Sequence, residues 1–347
     1  MDRYNRMSQR SMQKRPITFN ALKFRNILSA FFISATVFLF TGASGIDGVA
    51  LFEKGNYSDA RQVFSDALAE KPDDPRSQFY MGRTYLALEE ADIALPYLTK
   101  ATQLDPDNAV YYFWLGVNYW ALLDLDRELA SYEKALAIDP DLLPAHVYAG
   151  HNQLDRGQWE PALAHYATVL QVLPEHPEAL FNAGVALEAL DREEEAIAVW
   201  RRFLQHHCTE RLAADAARNL NTAGDFSYRA YPVGGRFIAG PSPGFVEATS
   251  TMDPQLTEVT DQIGRVILDN DALTLHIVTF AENNPELAQQ RAKTIKQAIS
   301  GNFPEIPPGR VRLSWFGQAE TVQINDHTYR LKESLNLFTA KAEGQAP

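Results

Sequence analysis

The stretch Gly82–Gly116, GRTYLALEEADIALPYLTKATQLDPDNAVYYFWLG, begins and ends on glycine, and the step between those glycines recurs along the chain. Gly48, Gly82, Gly116, Gly150 and Gly184 stand 34 residues apart throughout. Other columns keep the same step. Ala60, Ala94, Ala162 and Ala196 form one, with Glu128 as its exception, and Phe64, Leu98, Tyr132, Tyr166 and Trp200 form another. Pro72, Pro106, Pro140 and Pro174 close the first four units, in EKPDD, LDPDN, IDPDL and VLPEH. A fixed period of this length marks a chain built from one supersecondary unit, each copy burying its apolar face on the next. Glycine and alanine let helix backbones approach, the aromatic column fills the gap between units, and proline ends each hairpin.

These columns resemble the tetratricopeptide repeat, a unit of two antiparallel helices. The resemblance implies a mainly α fold: a tetratricopeptide-repeat α-solenoid of five helical hairpins over residues 44–208, closed by a capping helix within TERLAADAARNL and ending near 221. In that helix Leu212, Ala216 and Leu220 share one stripe, with Arg211, Asp215 and Arg218 opposite. In the family the first helix of each unit lines a concave groove that takes a protein or peptide. Carried onto this chain, the lining comprises Phe52, Phe79, Arg83, Leu86, Phe113, Val117, Trp120, Val147, His151 and Phe181, with Val49, Leu154 and Val185 beside them. Some members clamp a peptide's terminal carboxylate with Lys and Asn at these columns, where this chain has Phe79, Arg83, Phe113 and Val117. The competing reading is that these side chains pack between neighbouring helices.

From Asn221 the periodicity stops. Residues 222–242, within NTAGDFSYRAYPVGGRFIAGPSPGF, bring in glycine, proline and aromatics and read as an ordered but irregular linker. A different grammar follows: a strand FVEAT (245–249), a helix opened by Asp253 and Pro254 with Leu256, Val259, Ile263 and Val266 on one face, and a strand ALTLHIVTF (272–280). A helix capped by Asn284, a strand GRVRLSWFG (309–317) and a final YRLKESLNLF (329–338) complete a small α/β sandwich. In the helix begun by NNPELAQQRAKTI, Leu287, Ala288, Ala292, Ile295, Ala298 and Ile299 share an apolar face, and Arg291 falls inside it.

NPELAQQRA matches the Asn-x-x-Leu-small-x-x-Arg-Ala signature of OmpA-like domains, and the order of elements over about 243–340 is similar to theirs. The resemblance implies attachment to peptidoglycan, with Arg291 as the arginine that grips the stem peptide and Asn284 beside it. The family's aspartate is missing, since the equivalent run is VTFAE (278–282), which leaves Glu282 as the acidic candidate. The paired arginines before the family's last strand are also replaced, by Glu333 and Ser334. The structural alternative for Arg291 is a buried ion pair with a carboxylate of the chain's own.

Charge and leader set the expected location. Residues 1–26 hold Arg3, Arg6, Arg10, Lys14, Arg15, Lys23 and Arg25 against Asp2, leaving a body of 25 basic and 43 acidic residues. Such a body is a poor nucleic-acid ligand. The leader runs into the uncharged ILSAFFISATVFLFTGA (27–43), which reads as a cleaved export signal or a single-pass inner-membrane anchor. Either places the body in the periplasm or cell envelope. A lone Cys208 excludes an intramolecular disulfide. His206, His207 and Cys208 do not form a metal site by themselves, because adjacent helical residues diverge by about 100°. With no catalytic set or cofactor motif, the expectation is a non-catalytic scaffold that binds a protein or peptide and attaches to peptidoglycan, with residues 341–347 as a tail. The alternative is a periplasmic assembly factor or chaperone for a secretion or pilus system, whose C-terminal domain docks protein alone.

Overall fold

The computed structural model describes residues 47–341. The leader with its apolar run, and the last six residues, lie outside them. Among the described residues no helix is long and apolar enough to cross a membrane. The chain divides into two compact units, Met1–Ile138 and Asp139–Pro347.

The first unit holds three antiparallel hairpins: α1 (Gly48–Glu53) with α2 (Tyr57–Glu70), α3 (Pro75–Ala87) with α4 (Ala91–Leu104), and α5 (Ala109–Ala121) with α6 (Leu125–Ile138). Local signals set the ends. Asp74 caps α3 by accepting from the Ser77 amide at 2.7 Å, and Pro75 occupies the first turn, where its missing N–H costs nothing. Pro72 and Pro106 follow α2 and α4 within two residues.

The glycine column works inside each hairpin. A Cβ added at Gly48 would come within 2.9 Å of the Phe64 ring, at Gly82 within 2.6 Å of Leu98, and at Gly116 nearer still to Tyr132. The aromatic column therefore packs first on the glycine of its own unit, rather than only between units as its spacing suggests. Glu128, the exception in the alanine column, is buried at 1% exposure.

The second unit begins with two further hairpins, α7 (Leu143–Asp155) with α8 (Trp159–Val172) and α9 (Pro177–Ala189) with α10 (Glu193–His207), then α11 (Ala213–Thr222). Ala213, Ala216, Ala217 and Leu220 of α11 pack on Trp200, Phe203 and Leu204, while Arg211, Asp215 and Arg218 stay exposed, as a polar-backed cap requires.

Residues 228–241 depart from the irregular linker expected. They form an antiparallel hairpin, β1 (Tyr228–Val233) with β2 (Arg236–Pro241), turned by Gly234 and Gly235 at φ +60° and +79°. Two successive left-handed residues make the tight turn whose twist matches paired strands. Tyr231, Val233 and Ile238 of this hairpin share a core with α12 (Pro254–Leu268), and that core also takes in Cys208 from the repeat side. The α/β region therefore starts before residue 243.

FVEAT is not a strand. Only Phe245 bridges, to Met252, and the chain reverses at Ala248 with φ +55°. The reversal is held by the Thr249 hydroxyl donating to the Val246 carbonyl and by the Asp253 amide donating to the Gly244 carbonyl.

The principal sheet runs β4 (Val311–Phe316), β3 (Leu273–Ala281), β7 (Glu333–Lys341), with β3 central, parallel to β4 and antiparallel to β7. The parallel pair is joined through α13 (Pro285–Asn302), whose Ala292, Ile295 and Ile299 lie in the core with Leu275, Ile277, Leu335 and Leu337. The run 329–338 is divided at Lys332: β5 (Glu320–Ile324) and β6 (His327–Leu331) form a separate hairpin, and β7 begins afresh at Glu333.

Candidate functional site

The residues expected to line the groove separate into two classes. Phe52, Phe79, Leu86, Phe113, Val117, Val147 and Leu154 are all buried at 5% exposure or less. They are spacers between helices, as Phe79 stacked on Tyr111 at 4.5 Å between ring centres illustrates. Val49, Arg83, Trp120, His151, Phe181 and Val185 remain half-exposed. An apolar column serves packing and lining equally well, so residue type did not separate the two classes.

In the first unit α3 projects Arg83 among rings. Its guanidinium carbon lies 4.1 Å from the centre of Trp114, 4.7 Å from Phe52, 5.5 Å from Phe79 and 5.8 Å from Tyr80. Loss of water pushes its pKa down to about 10, with Tyr80 and Glu53 acting in the other direction. Its Nε is buried without a hydrogen-bond partner.

The second unit places histidines at two points. His151 meets Asn182 at 2.9 Å and packs against Tyr148 and Tyr166. His146 and His165 join α7 to α8 through their Nδ1 atoms at 2.8 Å, while His146 Nε2 lies 2.9 Å from the Pro140 carbonyl. A carbonyl only accepts, so Nε2 of His146 carries a proton, and the two Nδ1 atoms share one proton between them. Burial first, then the neighbouring His146, push His165 down to about 4. Burial thus disfavours a charge on His165 within this packed pair.

The three residues expected to bind the wall all make contacts within the fold. Arg291 is buried at 1% exposure. Its Nη1 donates to Glu333 at 2.7 Å, its Nε to the Thr249 carbonyl at 2.8 Å, and its face covers Phe245 at 4.9 Å. Glu282 does not reach round to it. Its carboxylate is paired with Arg330, and its amide donates to the Lys332 carbonyl. Asn284 accepts from the Leu287 amide at 3.0 Å as the cap of α13. The helix thus pairs its arginine with Glu333, an acid of the same chain.

Not foreseen is a cleft of about 490 Å³ lined by Arg201, Asp225, Phe226, Ser242, Arg330, Lys332 and Glu333. It lies between the turn after α11 and the β6–β7 boundary, and Arg201–Asp225 forms an ion pair on its wall. These residues are spread from position 201 to position 333, so no local pattern announces them. Among the described residues no cluster of His, Cys, Asp and Glu is arranged to hold a metal ion.

Models of the tetratricopeptide repeat match residues 51–112, 109–142 and 149–217. Among solved structures the chain is similar to MamA, at 20% identity over 48% of this chain and 96% of that one, with a TM-score of 0.45. It is also similar to YrrB, described as a tetratricopeptide-repeat protein with an unusual peptide-binding site, at 20% identity over 49% and 88% of the two chains and a TM-score of 0.45. The third is PilF of Pseudomonas aeruginosa, at 15% identity over 52% and 82%, with a TM-score of 0.47. No curated protein matches the chain.

Proposed function

We propose, from the premise that residues 51–217 carry tetratricopeptide repeats, that this protein is a non-catalytic scaffold of the cell envelope that takes a protein or peptide partner on its first-helix surface. The observation that carries the reading is the repeat itself, a surface that binds proteins or peptides rather than transforming them. In the first unit Val49, Arg83 and Trp120 are half-exposed, and in the second His151, Phe181 and Val185. The envelope location rests on the basic leader and the uncharged run 27–43. Two attachments on one chain would raise the effective concentration of a captured partner at the second site.

For the C-terminal α/β region two readings stand, and a specific observation favours each. The NPELAQQRA signature supports attachment to peptidoglycan. The commitment of Arg291 to Glu333 supports an assembly factor that docks protein there, because Nη1 and Nε are engaged within the fold and Nη2, though unpartnered, is buried away from an incoming stem-peptide carboxylate. Co-sedimentation of the exported chain with purified peptidoglycan decides between them. Retention in the pellet supports the wall, and retention in the supernatant supports docking. Crosslinking in cells followed by identification of the captured protein tests the repeat surface, and capture unchanged by substitution of Trp120 and Phe181 would sink that assignment.

A further inference from the structure

The aromatic setting of Arg83 leaves it half satisfied. The rings of Trp114, Phe52 and Phe79 lie 4.1, 4.7 and 5.5 Å from its guanidinium carbon, since a delocalised cation is drawn to their π-clouds. A ring does not take the place of a hydrogen-bond acceptor for the N–H groups, which lie in the guanidinium plane. Nε–H is out of water and hydrogen-bonds to nothing. Glu53 acts on the charge through space. A buried donor left without an acceptor is costly, and more so on a charged group. What would satisfy the edge is a planar acceptor meeting Nε and one Nη together, the bidentate geometry of a carboxylate.

We propose that Arg83 is an anion-anchoring subsite of the repeat surface, taking the side-chain carboxylate of an internal Glu or Asp flanked by apolar residues in the partner. The proposal rests on the reading of that surface as a peptide-binding one. The surroundings argue for a side chain over a chain end. The site is walled by rings, so a carboxylate carried on methylenes enters while its backbone stays outside. A terminal carboxylate would have to bring the backbone in with it. The corresponding positions one hairpin on are Phe113 and Val117, both buried, which offer no second donor for a terminus. The acidic balance of the chain disfavours long acidic tracts, so the site selects a single carboxylate in an apolar context.

Fluorescence anisotropy with three labelled peptides and the full chain tests this. The first is blocked at its C-terminus, Ala-Leu-Phe-Glu-Leu-Ala-amide; the second carries Gln in place of Glu; the third is the Gln peptide with a free C-terminal carboxylate. The Glu peptide is expected to bind about tenfold tighter than the blocked Gln peptide, a margin typical of a charge-assisted hydrogen bond. That margin should shrink to less than about twofold in Arg83→Met, whose long apolar side chain keeps the stacking volume. Unchanged circular dichroism of the variant would show it folded. In ¹⁵N-arginine spectra the Nε–H signal lost in Arg83→Met should shift in the wild type with the Glu peptide and not with the blocked Gln peptide. Equal binding of Glu and Gln peptides overturns the subsite and leaves the groove standing. A preference for the free C-terminus overturns the side-chain source. Binding by none of the three overturns both the subsite and the reading it rests on.

Discussion

At the scale of single residues, Arg291 shows how a cation inside an apolar helix face is answered by its own chain. Its charge is matched by Glu333 and the Thr249 carbonyl inside the fold, so its removal leaves an acid and a carbonyl without their donor. Arg291→Ala is expected to destabilise the α/β region by about 3–5 kcal/mol in denaturant titrations. A loss below about 1 kcal/mol would show that the pair is not structural. The helical wheel made the position conspicuous, but only the folded chain reveals which of the many acids answers it. His165 yields a prediction of pH. Its folded pKa of about 4 lies below the ordinary 6.5, so above pH 6.5 neither state binds the proton and the pair costs nothing. As pH falls from 6.5 towards 4 the unfolded chain gains a proton that the folded chain refuses, and stability declines. The melting temperature should fall across that window, and His165→Gln, which keeps a hydrogen-bonding side chain without the titrating ring, should flatten the slope. An unchanged slope in the variant would refute the assignment.

At the scale of elements, the repeat holds a column that residue identity conceals. Gly55, Glu89, Leu123, Gly157 and Asp191 turn the five hairpins at φ +79°, +64°, +60°, +71° and +56°, again at a step of 34. The conformation is constant although the residue is not, because a left-handed position tolerates several side chains at a modest cost. Leu123 is exposed at 62%, so glycine there removes strain and little packing. Leu123→Gly should raise stability by about 0.5–1 kcal/mol, read as a higher denaturation midpoint; a lower midpoint would mean that its side chain packs more than its exposure suggests. Gly184 is the opposite case, chosen for closeness rather than freedom, since a Cβ there would collide with Trp200. Gly184→Ala should cost about 1–3 kcal/mol by overpacking.

At the scale of the whole molecule, the core decides what counts as a piece. Because Tyr231, Val233, Ile238 and Cys208 share the core of α12, α13 and the sheet, a fragment starting at residue 243 lacks part of its own interior. Such a fragment is expected to show a broadened, early melt beside the intact chain, and a sharp, unshifted melt would contradict the shared core. Cys208, buried at 4% with its thiol pushed up to about 11 by burial, should resist a thiol reagent until unfolding. The period, the helix ends and the polar back of α11 were legible from the chain alone, because they follow from local rules: spacing, capping and proline. The apolar face of α13 was equally plain. Tertiary structure alone decided which lining residues stay exposed, which acid meets Arg291, and that the Gly234–Gly235 run joins a hairpin to a distant core. Those outcomes depend on contacts between residues far apart in sequence. Sequence patterning limits the faces a helix or strand can bury, whereas partner choice is settled only when distant segments compete for the same interior.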